Sequence, residues 1–335
     1  MMFTTLIKQV FPCSTIIDAA LKFPITEDGW EIDMPDQDDC QFDNPEWRLV
    51  LNLQDMLTFD NGDDIPRELL KIQGFYQGWA DLDRIIVVIW PVGIGNRWPQ
   101  DSFHVVEWST HQYETWEKYK GAEDVLRKVF SRTNKDLQDN FVCMNRIQKP
   151  HRKVVASKLD VYRTGNISLQ SAGMELKYPS PSFKDYDLHY NNLVNLVGLQ
   201  QNFNTSFFSV ITESQYAEPY GIITEKTFNA IVAGHPFLMV GHRGCLDDLR
   251  SYGFKTFPMI FDEEYQDLPN TDRIHSMIET NEHWFVQKLS ASDVFEWDME
   301  VSEVIDYNLN FFFDEFGDAQ VNWLRTQLLN AWFYN

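Results

Sequence analysis

Buried-strand and amphipathic-helix patterns alternate along most of the chain. Runs of apolar and β-branched residues predict strands at 48–53 (RLVLNL), 85–90 (IIVVIW), 103–108 (FHVVEW), 141–145 (FVCMN), 207–212 (FFSVIT) and 236–240 (PFLMV). A strand that is apolar throughout, as at 85–90, is typical of a parallel sheet covered by helices on both faces.

Helical spacing and helix-end signals separate these strands. They predict helices at 65–74, 110–119, 123–130, 151–159, 225–233, 245–252 and 318–333, and a short helix or strand at 16–23. The alternation of strands with helices predicts an α/β fold in which crossover helices join parallel strands.

The length of the chain predicts two domains. A chain of 335 residues is too long for one core of typical size, and its 44% hydrophobic residues are sufficient for two cores. We divide it into an N-terminal α/β domain (1–138), a C-terminal α/β domain (139–270) and C-terminal helices (271–335). The sequence leaves open whether these last helices pack back on the first domain.

The negative charge of the chain limits the kinds of partner that it can bind. The formal net charge is −22, and residues 27–64 contain thirteen acidic residues and only one basic residue. A field of this sign repels polyanions, so extensive contact with nucleic acid is disfavoured, although a local basic groove remains open. The acidic stretch itself is interpreted as a solvated loop, with a divalent-metal site as the alternative.

The cysteines and apolar segments indicate a compartment. The four cysteines are far apart, which indicates neither a disulfide framework nor a zinc site. The first residues lack the pattern of a signal peptide, and no apolar run reaches the length of a membrane span. We therefore predict a cytoplasmic protein without a membrane span. DxD matches are trivial in a chain this acidic, so no metal is predicted.

The segment 207–241 has the most informative chemistry. It predicts a strand, a loop, a helix and another strand, with Thr224 at the N-cap position of the helix. Glu225 suits the helix dipole, whereas Lys226 in the first turn opposes it. An anion such as a diphosphate would be held there by backbone N–H groups, the dipole and Lys226. The alternative is a solvated lysine paired with a nearby acid.

A second basic segment, NRIQKPHRK at 145–153, follows the strand 141–145 and opens a helix. Its cationic side chains suit phosphate oxygens, which arginine binds bidentately. Both basic segments follow predicted strands, and ligands of open α/β sheets bind beyond the carboxyl ends of strands. We therefore predict that the helix start at Thr224 faces a cleft beside Arg152. The alternative is a basic surface turn.

These elements resemble the α1,3-fucosyltransferases of glycosyltransferase family 10. The resemblance spans about residues 140–245 and rests on Asn145, on Arg152 near a helix start, on Glu213 in ITES, and on the TEK run at 224–226. The chain is also similar to glycosyltransferase-like proteins of phages and environmental viruses, which carry stretches like LRSYGFKTF at 249–257.

The resemblance implies a GT-B fold, in which two Rossmann-like domains face a cleft. It implies inverting, metal-independent transfer from a nucleotide-diphosphate sugar, with a GDP-linked sugar as one candidate and no cofactor. Arg152 and Lys226 would bind the diphosphate, Glu225 the ribose or sugar, and Glu213 would line the pocket. The implied donor-binding residues together are Asn145, Arg146, Arg152, Glu213, Thr224, Glu225 and Lys226. Ser214 replaces the family's Asn, which leaves the sugar open.

An inverting transfer also needs a base to deprotonate the acceptor, which is a glycan or another hydroxyl compound. We assign this catalytic role to Glu107, at the end of the predicted strand 103–108 with His111 close behind, and keep Asp101 in reserve. The alternative is that Glu107 caps the following helix.

Three other functions remain open. The first is a glycosyltransferase that acts on modified bases of phage DNA, which strongly salt-dependent activity would indicate. The second is a non-enzymatic carbohydrate- or nucleotide-binding module in which Trp98, Trp108 and Trp116 stack on sugars. The third, an unrelated Rossmann enzyme, lacks a dinucleotide fingerprint or a P-loop.

Overall fold

The computed structural model describes residues 7–18, 48–52, 85–89, 104–130, 137–178, 196–216, 223–290 and 298–333. The chain divides into two compact units. One contains Met1–Thr110 with Asp318–Asn335, and the other contains His111–Gly317. This division lies before the boundary predicted at residue 138, and it groups the end of the chain with the first unit.

The first unit contains a parallel four-stranded sheet. Its strands are β1 (Ser14–Asp18), β2 (Arg48–Asn52), β3 (Ile85–Ile89) and β4 (His104–Glu107), hydrogen-bonded in the order β1-β2-β3-β4. The strands predicted from residues 48, 85 and 103 are confirmed. Residues 16–23, interpreted as a helix or strand, begin within β1, and the predicted helix 65–74 lies outside the described residues.

The second unit contains another parallel four-stranded sheet, with a different order. Its strands are β5 (Asp139–Cys143), β6 (Asn166–Ile167), β7 (Ser206–Thr212) and β8 (Phe237–Val240), in the order β6-β5-β7-β8. Strands β5, β7 and β8 are buried throughout. Successive strands are therefore added on one side of β5 and then on the other, so the direction of winding reverses between β5 and β7.

Helices make up most of the remaining described chain. They are α1 (Thr110–Lys120), α2 (Glu123–Val129), α3 (Pro150–Asp160), α4 (Gln200–Asn204), α5 (Glu225–Val232), α6 (Cys245–Ser251), α7 (Asn270–Thr280), α8 (His283–Val286), α9 (Asp298–Asn310) and α10 (Phe316–Phe333). A π-helical segment, Phe311–Glu315, joins α9 directly to α10. The α/β class and the parallel strands are thus confirmed.

Local sequence explains where the two helices nearest the site begin and end. Pro150 occupies the first turn of α3, where its missing N–H costs no helical hydrogen bond. Gly234 follows α5 with a φ of 62°, the left-handed conformation that ends helices and favours glycine. Pro150 therefore accounts for the start of α3, which follows β5, and Gly234 for the end of α5, which follows β7.

Aromatic packing holds α5 in the second unit. The ring of Phe228 lies 5.4 Å from both Phe312 and Phe316 and 5.9 Å from Phe254, measured between ring centroids. All four side chains are buried. Phe228 therefore anchors α5 in the core, and this packing holds the start of the helix in place. Among the described helices, none is long and apolar enough to cross a membrane.

Candidate functional site

The carboxylate of Glu213, directly after β7, ties that strand to the start of α5. It is fully buried and accepts hydrogen bonds from the Thr224 backbone N–H (3.0 Å), the Thr224 hydroxyl (2.6 Å) and the Thr227 hydroxyl (2.6 Å). A carboxylate is favourable at a helix N-terminus because the dipole is positive there. Glu213 therefore fixes the strand end and the helix start as one rigid unit.

Thr224 caps the helix differently from the prediction. Its backbone is extended at the N-cap position, but its side chain makes no capping hydrogen bond to α5. Instead its hydroxyl donates to Glu213. The local pattern could not show this, because the carboxylate that replaces the threonine cap comes from eleven residues upstream.

Lys226 and Lys149 converge on Ser214, the residue after Glu213. The Lys226 Nζ lies 3.2 Å from the Ser214 hydroxyl, 3.0 Å from the Thr224 hydroxyl and 2.9 Å from Glu225 Oε1. The Lys149 Nζ donates to the Ser214 carbonyl at 2.7 Å. The two basic segments therefore meet at the end of β7. Lys226 also has the acidic partner that the alternative interpretation required.

Arg152, on α3, contacts the end of β7 from the buried side of the site. Its guanidinium donates to the main-chain carbonyls of Ile147 (3.2 Å) and Glu213 (3.3 Å), and its side chain is 4% exposed. Burial lowers the pKa of Arg152 from its usual value, and the carboxylates of Glu213 and Glu225 act in the opposite direction. These acceptors are neutral carbonyls, so they do not cancel the positive charge of Arg152, which lies buried next to the site.

His151 supports this arrangement as a neutral side chain. Its Nε2 lies 2.9 Å from the Glu213 carbonyl, and its ring stacks on Tyr216 at 5.1 Å. Burial lowers the pKa of His151 to about 4, with help from Arg152 and the nearby lysines, against the hydrogen bond to Glu213. The cationic side chains that meet around His151 are Lys149, Arg152 and Lys226, and the carboxylates are those of Glu213 and Glu225. They give a local excess of positive charge in a chain of net charge −22.

His111, which the sequence placed only close behind Glu107, also contacts the site. The Nε2 of His111, in the first turn of α1, lies 3.2 Å from Glu225 Oε2. Burial alone would raise the pKa of Glu225, but Lys226 and His111 outweigh burial and hold the pKa well below its usual range. No spacing rule connects residues 114 apart, so only the fold could reveal this pair.

The topology of the second sheet explains why these residues meet. In an open α/β sheet the crevice lies where the winding direction reverses, beyond the carboxyl ends of the two strands concerned. Here those strands are β5 and β7. Asn145, which follows β5, accepts a hydrogen bond from the Thr212 hydroxyl at the end of β7. The predicted donor-binding segments therefore occupy the switch point of the sheet.

The described contacts of this cluster do not include two of the predicted residues. Arg146 follows Asn145 and is exposed. Glu107 is the last residue of β4 in the first unit, and its side chain lies outside the described part of the chain, as does the whole of Asp101. The base role of Glu107 stays a prediction.

Neither metal ligands nor similarity to a known protein identifies a ligand for this site. Within the described ranges, no group of three or more His, Cys, Asp and Glu side chains is placed to hold a metal ion. Comparisons of the chain with protein-family models, curated proteins and solved structures found no match. The arrangement itself, with cations gathered at a sheet edge, is suited to binding a phosphorylated ligand.

Proposed function

We propose that the protein is a glycosyltransferase that binds the diphosphate of a nucleotide sugar at the switch point of its second sheet. The observation that carries this proposal is the convergence of Lys149, Arg152 and Lys226 on the consecutive residues Glu213 and Ser214. An excess of positive charge at the carboxyl edge of a parallel sheet favours a polyanionic ligand.

The three cations have different roles in this proposal. Lys226 and Lys149 give up their hydrogen bonds to Ser214 and bind phosphate oxygens directly. In this proposal Arg152 stays on its carbonyl acceptors and adds positive charge from the buried side, whereas the family resemblance implies a direct contact with the diphosphate. Glu225 accepts hydrogen bonds from the ribose or the sugar. Fixed positive charge of this kind stabilises the diphosphate as it leaves in the transition state.

The other half of the reaction is assigned to the first unit. In a GT-B arrangement of two Rossmann-like domains, Glu107 at the end of β4 takes the proton of the acceptor hydroxyl. That oxygen then bonds to the anomeric carbon while the bond to the diphosphate breaks, which inverts the configuration. Neither a metal nor a cofactor is needed, because the lysines and Arg152 supply the positive charge.

A thermal-shift screen of nucleoside diphosphates and nucleotide sugars without added metal tests the donor site. A ligand at a hundred times its Kd should stabilise the protein by about 2.7 kcal/mol. We expect a shift for wild type and for the control Lys158→Ala, since Lys158 on α3 contacts His275 rather than the site. Lys226→Ala and Lys149→Ala should reduce it.

Two outcomes would contradict the donor site. One is the absence of a shift with every nucleotide while the protein remains folded. The other is a shift that Lys226→Ala and Lys149→Ala leave unchanged, which would place the ligand elsewhere. A shift without any sugar transfer to glycan or nucleobase acceptors would instead support the nucleotide-binding module.

A further inference from the structure

The carboxylate of Glu225, the first residue of α5, is held at both oxygens by donors from two different helices. Its Oε1 lies 2.9 Å from the Lys226 ammonium, and its Oε2 lies 3.2 Å from Nε2 of His111 on α1. An ionised carboxylate only accepts hydrogen bonds, so the Nε2 of His111 carries the hydrogen of this contact. The Glu225 side chain is still 26% exposed, which leaves part of the carboxylate accessible to a ligand.

Helix α1 is hydrogen-bonded to the region of α5 at two further points. The Gln112 side chain donates to the Ile223 carbonyl at 3.1 Å, just before α5, and the Tyr119 hydroxyl donates to Asn229 Oδ1 at 2.5 Å. Both bonds are made by residues other than His111, so they hold the helix in place without the contact to the carboxylate. His111 therefore presents its N–H from a helix that is fixed beside the start of α5.

The other donor, Lys226, is shared among three acceptors. Its ammonium lies within hydrogen-bonding distance of the Ser214 hydroxyl (3.2 Å) and the Thr224 hydroxyl (3.0 Å) as well as of Glu225. An ammonium has three N–H donors, so these three acceptors use all of them. A phosphate oxygen can therefore bind Lys226 only in place of one acceptor, and its negative charge then competes with Glu225 for the ammonium.

The consequence for Glu225 rests on the proposed function. When the diphosphate draws the Lys226 ammonium toward itself, the N–H of His111 keeps the carboxylate in its orientation. Each carboxylate oxygen has a second lone pair, so Glu225 can still accept a hydrogen bond from a hydroxyl of the ligand. That bond needs a carboxylate with a fixed direction, whereas phosphate oxygens are bound by the cations and repelled by the carboxylate.

We propose that His111 is a positioning residue that gives this site its preference for a diphosphate carrying a hydroxylated sugar over a bare diphosphate. It acts through Glu225: the imidazole N–H fixes the carboxylate, and the carboxylate accepts the hydrogen bond of a ribose or sugar hydroxyl. The lysines bind the diphosphate in both kinds of ligand, so His111 changes selectivity rather than phosphate binding.

Calorimetric titration of the whole chain with GDP-fucose and with UDP-glucose, without metal, tests this role. His111→Ala should lower the affinity for the nucleotide sugar that binds by about tenfold, the effect of one hydrogen bond to a charged group. His111→Gln keeps an N–H near the position of Nε2 and should restore the affinity to within about threefold of wild type. Inorganic pyrophosphate, measured by its competition with the nucleotide sugar, should bind wild type and His111→Ala equally well.

A double-mutant cycle separates a role through Glu225 from a general structural role. In a Glu225→Ala background, His111→Ala should change the affinity for the nucleotide sugar by less than about twofold, because the carboxylate that it positions is gone. The matched control is His275→Ala. It removes an imidazole that lies 2.8 Å from Glu279 on the exposed surface of α7, and it should leave all of these affinities unchanged.

The failures of the two proposals can be told apart. If a nucleotide sugar binds wild type and Lys226→Ala weakens it but His111→Ala does not, the role of His111 alone is wrong. The same conclusion follows if His111→Ala weakens pyrophosphate as much as the nucleotide sugar, if His111→Gln restores nothing, or if the loss persists in the Glu225→Ala background. If neither nucleotide sugar binds to the folded wild type, the donor site and the role of His111 are both wrong.

Discussion

The two sheets of this protein have the same number of described strands and the same parallel direction, yet they differ in the order of those strands. In the first sheet the strands follow one another in one direction, β1-β2-β3-β4. In the second the order is β6-β5-β7-β8, so the chain leaves β5 and β7 in opposite directions. Cationic side chains gather at that reversal in the second sheet.

This difference teaches that topology, more than composition, places the candidate ligand residues. Lys226 is unusual by sequence for its place in the first turn of a helix, and Lys149 is one of several basic residues in its segment. They meet only because the segments after β5 and β7 begin at the same point of the sheet edge. In the first sheet, β4 ends at Glu107, the proposed acceptor base. The proposed division of labour therefore gives the donor to one sheet and the acceptor base to the other.

The largest expected effect comes from Glu107→Gln, which tests this division directly. Loss of a general base should lower kcat by about 10²- to 10³-fold. The thermal shift given by the nucleotide should stay as in wild type. A loss of nucleotide binding in this variant, or an unchanged kcat, would show that the two sheets do not divide the reaction in this way.

The second effect concerns the anchor of the switch point, Glu213. Glu213→Gln replaces one acceptor oxygen by an amide N–H that faces the donors at the start of α5, and should lower the free energy of unfolding by about 3 kcal/mol. Urea denaturation would measure it. Glu279→Gln, at an exposed carboxylate of α7, should change stability by no more than about 0.5 kcal/mol. Similar losses of stability in the two variants would show that Glu213 has no special role at the switch point.

The third effect is a pH dependence that originates beneath the site. His151 has a folded-state pKa of about 4, below the usual value of 6.5, so the unfolded chain binds more protons between these values. Its contribution to stability is complete above about pH 6.5 and is lost as the pH falls toward 4. His151→Gln should flatten this limb by about 2 kcal/mol. Unfolding curves from pH 4 to 7 would show it, and a limb as steep as that of wild type would contradict it.

The smallest effect tests the clamp between α1 and α5. Tyr119→Phe removes the hydroxyl that donates to Asn229 and should destabilise the protein by about 1 kcal/mol. Nucleotide affinity should change little, because Gln112 still holds the start of α5. A large loss of affinity would mean that the site depends on the clamp as much as on the topology of the sheet.

Most of the second sheet was predictable, because its strands are continuous apolar runs. The predicted strands 207–212 and 236–240 match β7 and β8 to within one residue at each end. Strand β6 was missed, since two residues carry no periodicity. The helix start at Glu225 was also predicted, since a polar cap residue and a buried stripe are local signals.

The partners of the site residues were not predictable, because they are set by long-range contacts. The Thr224 hydroxyl donates to Glu213 instead of capping α5, and the Arg152 guanidinium donates to the main-chain carbonyl of Glu213. The His111–Glu225 pair joins the first residue of the second unit to a residue near the middle of its sequence. Composition and spacing carry no information about such distances, whereas they do indicate which residue types are unusual.

The π-helical segment between α9 and α10 constrains the number of residues in this part of the chain as well as their chemistry. Each residue of an α-helix turns the following ones by about 100°. Phe316, just after the segment, packs on Phe228, and a side chain at Gly317 would collide with the ring of Trp116. A deletion or insertion of one residue within Phe311–Glu315 would turn both positions away from these neighbours. We therefore expect this segment to tolerate exchanges among bulky apolar residues more readily than any change in its length.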